Sequence, residues 1–265
     1  MTTDWTGRRV LITGASSGIG AAMARELAAA GAVVGMCARR ADLLDQVLTD
    51  CRRSVAACEA WTIDLTELET LEQFAHDVES KLGSIDVLIN NAGGANGSEA
   101  LSTPWADLEY TARLNYLSPV RLTLAALPAM LTRGSGQVLT VSSMAARTST
   151  PGEAAYAAAK AALSTFMEAL AAELWKTGVT FHVVYPGLID LTPGADGDDA
   201  IAETSTGADR IPAPVLARAM RAQLETSAFE LYMPHSMRAF SSNRARDIGA
   251  SVEFMADLYQ SGALH

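Results

Sequence analysis

Thr13-Gly14-Ala15-Ser16-Ser17-Gly18-Ile19-Gly20 is the stretch that decides the fold, because it lies between a short apolar run and an Ala-rich segment. The run Val10-Leu11-Ile12 before it is typical of a buried strand, and residues 18–30 are typical of a helix. Glycines in such a turn let the backbone approach a pyrophosphate, whose charge the helix amino terminus stabilises. The stretch predicts a dinucleotide site, with a purely structural strand-to-helix turn as the alternative.

The same alternation of strand and helix continues to about Tyr185. Further runs typical of buried strands are Val33-Val34, Val87-Leu88-Ile89, Val138-Leu139-Thr140-Val141 and Val179 to Tyr185. Helical patterns cover roughly residues 67–82, 104–132 and 153–177. This alternation predicts a Rossmann-type, doubly wound parallel β-sheet with helices on both faces, a three-layer α/β/α fold. Ligands of such sheets bind at the carboxyl ends of the strands.

Size and composition indicate one globular domain over residues 1–265. Hydrophobic residues make up 49% of the chain, which suits a parallel sheet packed against Ala-rich helices. The net charge of -10 disfavours nucleic acid and anionic membrane surfaces as partners. Cys37, Cys51 and Cys58 fit neither a disulfide framework nor metal-ligand spacing. We expect reduced thiols, no bound metal, and a cytoplasmic protein without a signal peptide or membrane span.

The carboxyl-terminal part departs from the alternation. Gly187 to Pro214 is rich in Gly, Pro and Asp, and residues 188–212 within it are predicted to be a substrate lid or loop. A helix is expected at Val215 to Leu224, a strand at Phe229 to Met233, and a helix at Arg244 to Leu258 within a variable tail, residues 243–265. Several apolar side chains of this part either line a substrate pocket or pack the last elements, and both readings stay open. They are Leu188, Leu191, Ile201, Met233 and Phe240.

A second motif, Tyr156-Ala157-Ala158-Ala159-Lys160, places a phenol and an ammonium group four residues apart on one face of a helix. Ser143 ends the fifth strand, and Asn115 lies in the preceding helical segment. With the Thr-Gly-x-x-x-Gly-x-Gly spacing, this set resembles the short, non-extended branch of the short-chain dehydrogenase/reductase family over about residues 7–187. The resemblance implies a catalytic tetrad of Asn115, Ser143, Tyr156 and Lys160.

Carbonyl reduction explains why these residue types are needed. A proton must reach the oxygen as hydride reaches the carbon, and a tyrosine with a pKa of ~10 matches neutral pH poorly. We expect Lys160 and the positive nicotinamide ring of the oxidised cofactor to lower the pKa of Tyr156, and Ser143 to donate a hydrogen bond to the substrate oxygen. Ser142 should point elsewhere, because alternate strand residues face opposite sides. The resemblance further implies that Lys160 binds the nicotinamide ribose and that Asn115 holds a water in a proton relay.

The resemblance also implies a nicotinamide-cofactor site. Arg39-Arg40 follow the second strand where NAD-binding relatives carry an acid, and a guanidinium can pair with a 2′-phosphate, so NADP(H) is preferred over NAD(H). Alternatively, both arginines only solvate the next helix, Asp64 caps a helix, and the asparagines brace the sheet. The expected cofactor-binding residues are Gly14, Ser16, Ser17, Gly18, Ile19, Gly20, Arg39, Arg40, Asp64, Leu65, Asn91, Ala92, Gly93, Tyr156, Lys160, Pro186, Gly187 and Ile189. Leu191 occupies the position of a Thr that is frequent in the family, with Thr192 one residue later.

These observations predict an NADPH-dependent oxidoreductase that interconverts a ketone or aldehyde and an alcohol by hydride transfer. The expected small-molecule substrate is moderately apolar: an acyl, polyketide, steroid-like or xenobiotic carbonyl. Imine or enone reduction on the same fold, and an NADP(H)-sensing protein without turnover, are the alternatives. Small residues cover more than one face of the helix that carries Tyr156, which predicts a homodimer or homotetramer. They include Ala158, Ala162, Ala169 and Ala172.

Overall fold

The computed structural model describes residues 4–95, 99–148, 150–190, 202–203 and 209–261. Leu191, Thr192 and Ile201 lie outside the described residues, as do most of the predicted lid at 188–212 and residues 262–265 of the tail. What the sequence suggests for these positions stays a prediction.

The described strands form a large sheet and a small one. Their bounds are β1 (Arg9–Thr13), β2 (Val33–Ala38), β3 (Glu59–Thr62), β4 (Val87–Asn90), β5 (Gly136–Val141), β6 (Val179–Pro186), β7 (Ile189–Asp190), β8 (Ala202–Glu203), β9 (Asp209–Pro212) and β10 (Glu230–Met233). Seven strands form a parallel sheet in the order β10-β6-β5-β4-β1-β2-β3. The order reverses at β1 and β4, and this reversal opens a crevice at their carboxyl ends.

Helices connect the parallel strands. Their bounds are α1 (Gly18–Ala29), α2 (Ala41–Ser54), α3 (Leu71–Leu82), α4 (Trp105–Ala112), α5 (Ser118–Arg133), α6 (Ala145–Thr148), α7 (Ala154–Glu173), α8 (Ala213–Leu224), α9 (Met237–Arg246) and α10 (Ile248–Gln260). A 3-10 turn at Leu68–Thr70 precedes α3, and a π-helical segment at Arg113–Leu117 joins α4 to α5. None of the helices described is long and apolar enough to cross a membrane.

Two hydrophobic cores hold the helices to the sheet. On one face, Leu27 of α1 and Met220 of α8 belong to the core that covers β1 and β2. On the other face, Leu122 of α5 and Met167 of α7 belong to the second core. The apolar strands are buried on both sides, as expected for a parallel sheet under crossover helices. The predicted three-layer α/β/α architecture is confirmed.

Three local predictions need correction. The predicted helix at residues 104–132 is interrupted by the π-helical segment around Asn115. The single helix expected at Arg244 to Leu258 is instead two helices that meet at Asp247, whose carboxylate accepts a hydrogen bond from the Ala250 amide and begins α10. Part of the expected loop at 188–212 is ordered as β7, β8 and β9, with β7 parallel and β8 antiparallel to β9.

The three cysteines are free, buried thiols. Burial raises the pKa of the Cys37 and Cys51 thiols to about 12, so both side chains stay protonated and pack as small apolar groups.

Candidate active site

The glycine turn links β1 to α1 at the crevice. The amides of Gly14 and Ala15 both donate to the Cys37 carbonyl, at 2.8 and 3.2 Å, which ties the turn to the end of β2. Gly14 has a φ of 68°, a left-handed conformation that favours glycine. Gly20 lies so close to the Asn91 amide that an added Cβ would be 2.5 Å from its nitrogen. The third glycine therefore serves close helix packing more than ligand contact.

The amino terminus of α1 is suited to an anion. Ser17, its N-cap residue, makes no side-chain capping hydrogen bond, and the first turn of α1 holds no acidic residue. Arg40 places a guanidinium at the same point, with Nη2 3.1 Å from Ser16 Oγ and 2.5 Å from Ser17 Oγ. Exposed helix amides, two hydroxyls and one cation form a donor set that fits a phosphate.

Arg39 takes a different direction from Arg40. Its Nη1 donates to the Tyr110 hydroxyl at 2.7 Å and lies 3.8 Å from Asp64 Oδ2, while more than half of its side chain stays exposed. Asp64 accepts hydrogen bonds from the amide and hydroxyl of Thr66. Partial burial opposes ionisation of Asp64, but these bonds and Arg39 together lower its pKa. Asp64 thus closes a local turn with Thr66 and lies within ion-pair distance of Arg39.

Asn91 braces the crevice from the end of β4. Its Nδ2 donates to the carbonyls of Thr13 and Gly14, at 2.8 and 3.3 Å. The amides of Asn91 and Ala92 both donate to Thr13 Oγ1. Asn91 therefore braces the sheet where β1 and β4 meet, which is the structural role that the sequence suggested for the asparagines.

These elements enclose a cleft of ≈ 280 Å³ at the carboxyl ends of β1, β2 and β4. It is lined by Gly14, Ser16, Ser17, Gly18, Ile19, Ala38, Arg39, Arg40, Ile63, Asp64, Leu65, Asn91, Ala92, Gly93 and Leu114. Ala38, Ile63 and Leu114 were not in the predicted set, although each directly precedes a predicted residue. Gly20, Tyr156, Lys160, Pro186, Gly187 and Ile189 lie outside this lining.

The two serines after β5 face different surroundings. Ser142 is buried and its hydroxyl contacts Ser164 Oγ at 2.8 Å and the Lys160 carbonyl at 3.3 Å. Ser143 is half-buried; its Oγ accepts from the Ala145 amide, and its hydroxyl hydrogen-bonds the Tyr156 phenol. The strand alternation thus brings Ser143, and not Ser142, to Tyr156.

Lys160 lies one helical turn beyond Tyr156 on α7. Its Nζ donates to the Val141 carbonyl at 2.9 Å and lies 5.8 Å from the centroid of the Tyr156 ring. The ammonium is buried, with 3% of the residue exposed. The helix therefore brings both groups to the end of β5, as the four-residue spacing predicted.

Asn115 reaches the same point from the π-helical segment. Its Nδ2 donates to the carbonyls of Thr111 and Gly94, and its Oδ1 accepts from the Gly94 amide at 3.1 Å. A Cβ on Gly93 would lie 2.7 Å from Asn115 Oδ1 and 2.9 Å from Lys160 Nζ. The lack of a side chain at Gly93 therefore lets the Asn115 amide and the Lys160 ammonium both approach its backbone. A π-bulge at such a position is common at functional sites.

The protein groups shift the two key pKa values in opposite directions. Burial raises the pKa of Tyr156; the hydrogen bond with Ser143 lowers it, and the charge of Glu153 raises it further. Burial also lowers the pKa of Lys160 to about 8. Burial is the larger effect on the phenol here, so the pKa of Tyr156 lies above its ordinary value; the lowering expected from Lys160 together with the positive nicotinamide ring stays a prediction.

The remaining predicted residues, at the end of β6 and after it, lie next to the segment that follows Ser143. Pro186 accepts a hydrogen bond from the Met144 amide at 2.9 Å, which joins the end of β6 to the segment after Ser143. The Gly187 amide donates to the Met233 carbonyl, and a Cβ on Gly187 would lie 3.8 Å from Met237 Cε. Helix α9 thus abuts this turn, and Ile189 continues from it into β7.

Comparison with known proteins agrees with this architecture. The sequence profile described as short chain dehydrogenase matches residues 8–200. The chain belongs to the short-chain dehydrogenase family. Members of this family are oxidoreductases that bind a nicotinamide cofactor.

Two curated relatives and two solved structures are similar to this short-chain dehydrogenase in sequence or in structure. A short-chain dehydrogenase of Pseudocercospora fijiensis is 38% identical over 198 residues, covering 74% of this chain and 63% of the relative. A fatty acyl-CoA reductase of Mycobacterium tuberculosis is 38% identical over 190 residues, covering 70% of this chain and 64% of the relative. The chain thus spans a little under two thirds of the length of these relatives.

A short-chain dehydrogenase structure from Streptomyces avermitilis superposes with a TM-score of 0.80 at 30% identity, covering 96% of this chain and 97% of the other. A metagenomic short-chain oxidoreductase in complex with NADP superposes with a TM-score of 0.71 at 28% identity, covering 87% of this chain and 96% of the other.

Proposed function

We propose that this short-chain dehydrogenase is an NADPH-dependent carbonyl reductase, reversible as an alcohol dehydrogenase. The observation that carries the proposal is the convergence of a phenol, a hydroxyl and a buried ammonium, those of Tyr156, Ser143 and Lys160, beside a phosphate-fitting cleft. Proton donors close to a cofactor cleft suit hydride transfer to a carbonyl, which needs a proton at oxygen. A bound reduced nicotinamide would supply the hydride.

In the proposed reaction, Tyr156 donates its proton to the carbonyl oxygen and Ser143 donates a hydrogen bond to the same oxygen. The hydroxyl stabilises negative charge as it develops, in a site that is largely shielded from water. Lys160 then returns a proton to Tyr156. Asn115 holds the loop at Gly94 in place and, by the family resemblance, a relay water.

The test is NADPH oxidation with a panel of ketones, aldehydes, an imine, an enone and an acyl-CoA thioester. The thioester is included because two relatives are named fatty acyl-CoA reductases. Tyr156→Phe should reduce carbonyl turnover by roughly 10²–10⁴-fold, because it removes the proton donor. Tyr259→Phe on α10, whose hydroxyl donates to Glu99, is the control for loss of a phenolic hydroxyl. A Tyr156→Phe enzyme with undiminished carbonyl turnover would favour the imine or enone chemistry, and no turnover with any substrate would favour a sensor.

We also propose that NADP(H) is preferred over NAD(H). The support is the position of Arg40, whose guanidinium lies at the hydroxyls of Ser16 and Ser17, with Arg39 also lining the cleft. Arg40→Ala should weaken NADPH binding by roughly 10-fold or more while NADH binding changes little, since a charge-assisted bond is worth ~1.5–3 kcal/mol. Arg39→Asp tests the other arginine. Equal affinities for the two dinucleotides in the unmodified protein would refute the preference.

A homodimer or homotetramer is proposed on the basis of an exposed apolar face. Leu117, Leu124 and Leu131 follow one another at seven-residue spacing and are 38%, 49% and 36% exposed. The small residues Ala158 and Ala169 are exposed on the neighbouring α7. Light scattering should give a multiple of the chain mass, and Leu124→Glu should reduce it, whereas Leu101→Glu at another exposed position should not. A monomer mass for the unmodified protein would contradict the proposal.

A further inference from the structure

The guanidinium of Arg147 joins four elements of the fold, and the proposed reaction gives it no role. Arg147 lies on α6, the short helix that begins two residues after Ser143. Its Nη2 donates to Glu168 Oε1 on α7 at 2.7 Å and to Glu230 Oε1 on β10 at 3.2 Å, and it also contacts the Tyr185 hydroxyl on β6. One side chain, 24% exposed, therefore ties α6 to α7, β6 and β10.

The backbone of α6 holds the Ser143 hydroxyl. The Ala145 amide donates to Ser143 Oγ at 3.1 Å, and the Ala146 amide donates to the Ser143 carbonyl at 3.1 Å. The Arg147 amide donates to the Met144 carbonyl at 2.8 Å. A helix of 4 residues is not stable by itself, so tertiary contacts must decide where α6 lies. The position of Ser143 Oγ therefore depends on what anchors α6.

The ion pair between Arg147 and Glu168 connects that segment to the helix that carries Tyr156 and Lys160. Helix α6 packs against α7. Glu168 lies beyond Tyr156 on α7, about 18 Å along the continuous helix. Because a helix is a rigid element, fixing Glu168 against α6 also limits movement of Tyr156 relative to Ser143.

The network around Arg147 has a defined geometry beyond its charges. Arg147 Cζ lies over the Tyr185 ring, 4.5 Å from its centroid, and that ring stacks on Tyr232 with centroids 4.8 Å apart. The Tyr232 hydroxyl donates to Glu230 Oε1 at 3.1 Å, the same oxygen that accepts from Arg147. Both tyrosines are buried. A planar guanidinium fits such a stacked, hydrogen-bonded site in one orientation, so the network fixes where α6 lies.

We propose that Arg147 is a positioning residue, which anchors α6 so that the Ser143 hydroxyl is directed toward the substrate oxygen. The polar partners of its guanidinium are the two carboxylates and the phenol of the network, so it acts through Ser143. The proposal rests on the proposed carbonyl reduction, in which Ser143 donates a hydrogen bond to that oxygen. Loss of the anchor should slow the chemical step without weakening cofactor binding, because the glycine turn and Arg40 belong to other elements.

A double-mutant cycle tests whether Arg147 acts through Ser143. The measurement is the single-turnover rate of NADPH oxidation with a saturating ketone, which excludes product release. Arg147→Met should lower this rate by roughly 10–100-fold, because a misdirected donor loses much of its effect. In a Ser143→Ala background, where the hydroxyl is gone, the same substitution should lower the rate by less than about 2-fold. A merely structural role would instead give losses that multiply.

Arg221→Met is the matched control, because Arg221 also bridges two carboxylates. Its Nε donates to Glu26 at 2.8 Å and its Nη1 to Glu225 at 3.0 Å, and 31% of its side chain is exposed. It joins α8 to α1, on the face of the sheet opposite α7. Arg221→Met should keep the single-turnover rate within about 2-fold of the unmodified value, and both variants should keep the KM for NADPH.

Hydrogen exchange gives a readout that does not require turnover. Exchange of the amides in residues 143–148, measured by mass spectrometry of that peptide, should be faster by roughly 10-fold in Arg147→Met and unchanged in Arg221→Met. Glu168→Gln removes the ion pair from the other side and should give the same pattern at smaller size, which keeps the test open if Arg147→Met does not fold.

Three outcomes overturn the role of Arg147 while carbonyl reduction stands: a full single-turnover rate in Arg147→Met, losses that multiply in the cycle, or unchanged exchange in residues 143–148. If the unmodified protein reduces no carbonyl, the proposed function fails instead. Exchange then decides alone whether Arg147 anchors the Ser143 segment: faster exchange supports the anchor, and unchanged exchange refutes it.

Discussion

Replacing Gly93 with alanine should separate catalytic geometry from stability. The added Cβ would lie 2.7 Å from Asn115 Oδ1 and 2.9 Å from Lys160 Nζ, where ordinary van der Waals contact needs about 3.5 Å. The amide, the ammonium or the loop must therefore retreat by about 0.5–1 Å. Misplacement on that scale can reduce turnover by roughly 10²-fold. Overpacking at one position should lower the free energy of unfolding by only about 1–3 kcal/mol.

Gly94→Ala is the matched control, because nothing lies within 4 Å of the Cβ that it would add. It should keep near-normal kcat and stability, since the Gly94 backbone can still hold Asn115. Steady-state kinetics with NADPH and urea unfolding of both variants provide the measurements. If Gly93→Ala retains full kcat, the close approach of Asn115 and Lys160 is not needed for turnover, and the reasoning is refuted.

Two further predictions concern stability. Arg147 Nη2 donates to Glu168 and to Glu230 at 2.7 and 3.2 Å and also contacts the Tyr185 hydroxyl. Arg147→Met should therefore lower the free energy of unfolding in urea by about 1–3 kcal/mol, because it leaves two partly buried carboxylates unpaired. Arg53→Met, which breaks an exposed pair with Asp50, should change it by less than ~0.5 kcal/mol, and equal losses would contradict the distinction. The second prediction concerns Lys160, whose pKa burial lowers from 10.5 to about 8 in the folded protein. Between these two pH values the unfolded chain binds more protons than the folded one. The contribution of Lys160 to the free energy of unfolding therefore rises with pH across this window. The stability difference between the unmodified protein and Lys160→Met should thus shift toward the unmodified protein by up to ~3 kcal/mol from about pH 8 to about pH 10, and a pH-independent difference would contradict the lowered pKa.

Local spacing explains why the sequence predicted much of this site. Glycine positions constrain a backbone turn directly, and a four-residue interval places Tyr156 and Lys160 on one helical face in any context. The π-helical segment at Asn115 could not be predicted in this way. It depends on side-chain bonds to Thr111 and to Gly94, the latter 21 residues away in sequence.

The arginines and the pKa values show a second limit of sequence reasoning. Arg39 and Arg40 are neighbours in sequence, yet Arg39 pairs with Tyr110 and Arg40 with the serines of the glycine turn. Long side chains have many rotamers, so tertiary contacts decide their direction. The pKa of Tyr156 depends on burial, which the motif does not encode. The sequence indicated which groups meet but not their acidities.

Those acidities bear on how a proton would move through the proposed site. Burial raises the pKa of the Tyr156 phenol above its ordinary value and lowers that of Lys160 to about 8. The ammonium is therefore the stronger acid of the two, although free tyrosine and lysine have nearly equal pKa values. A phenolate formed by proton donation to a substrate would regain its proton from Lys160 downhill in free energy. Because a group with a pKa of about 8 exchanges protons readily near neutral pH, Lys160 would then recover its own proton through the relay water that the family resemblance implies at Asn115. The burial that makes Tyr156 a poor acid on its own is thus the same property that makes Lys160 an effective source for its next proton.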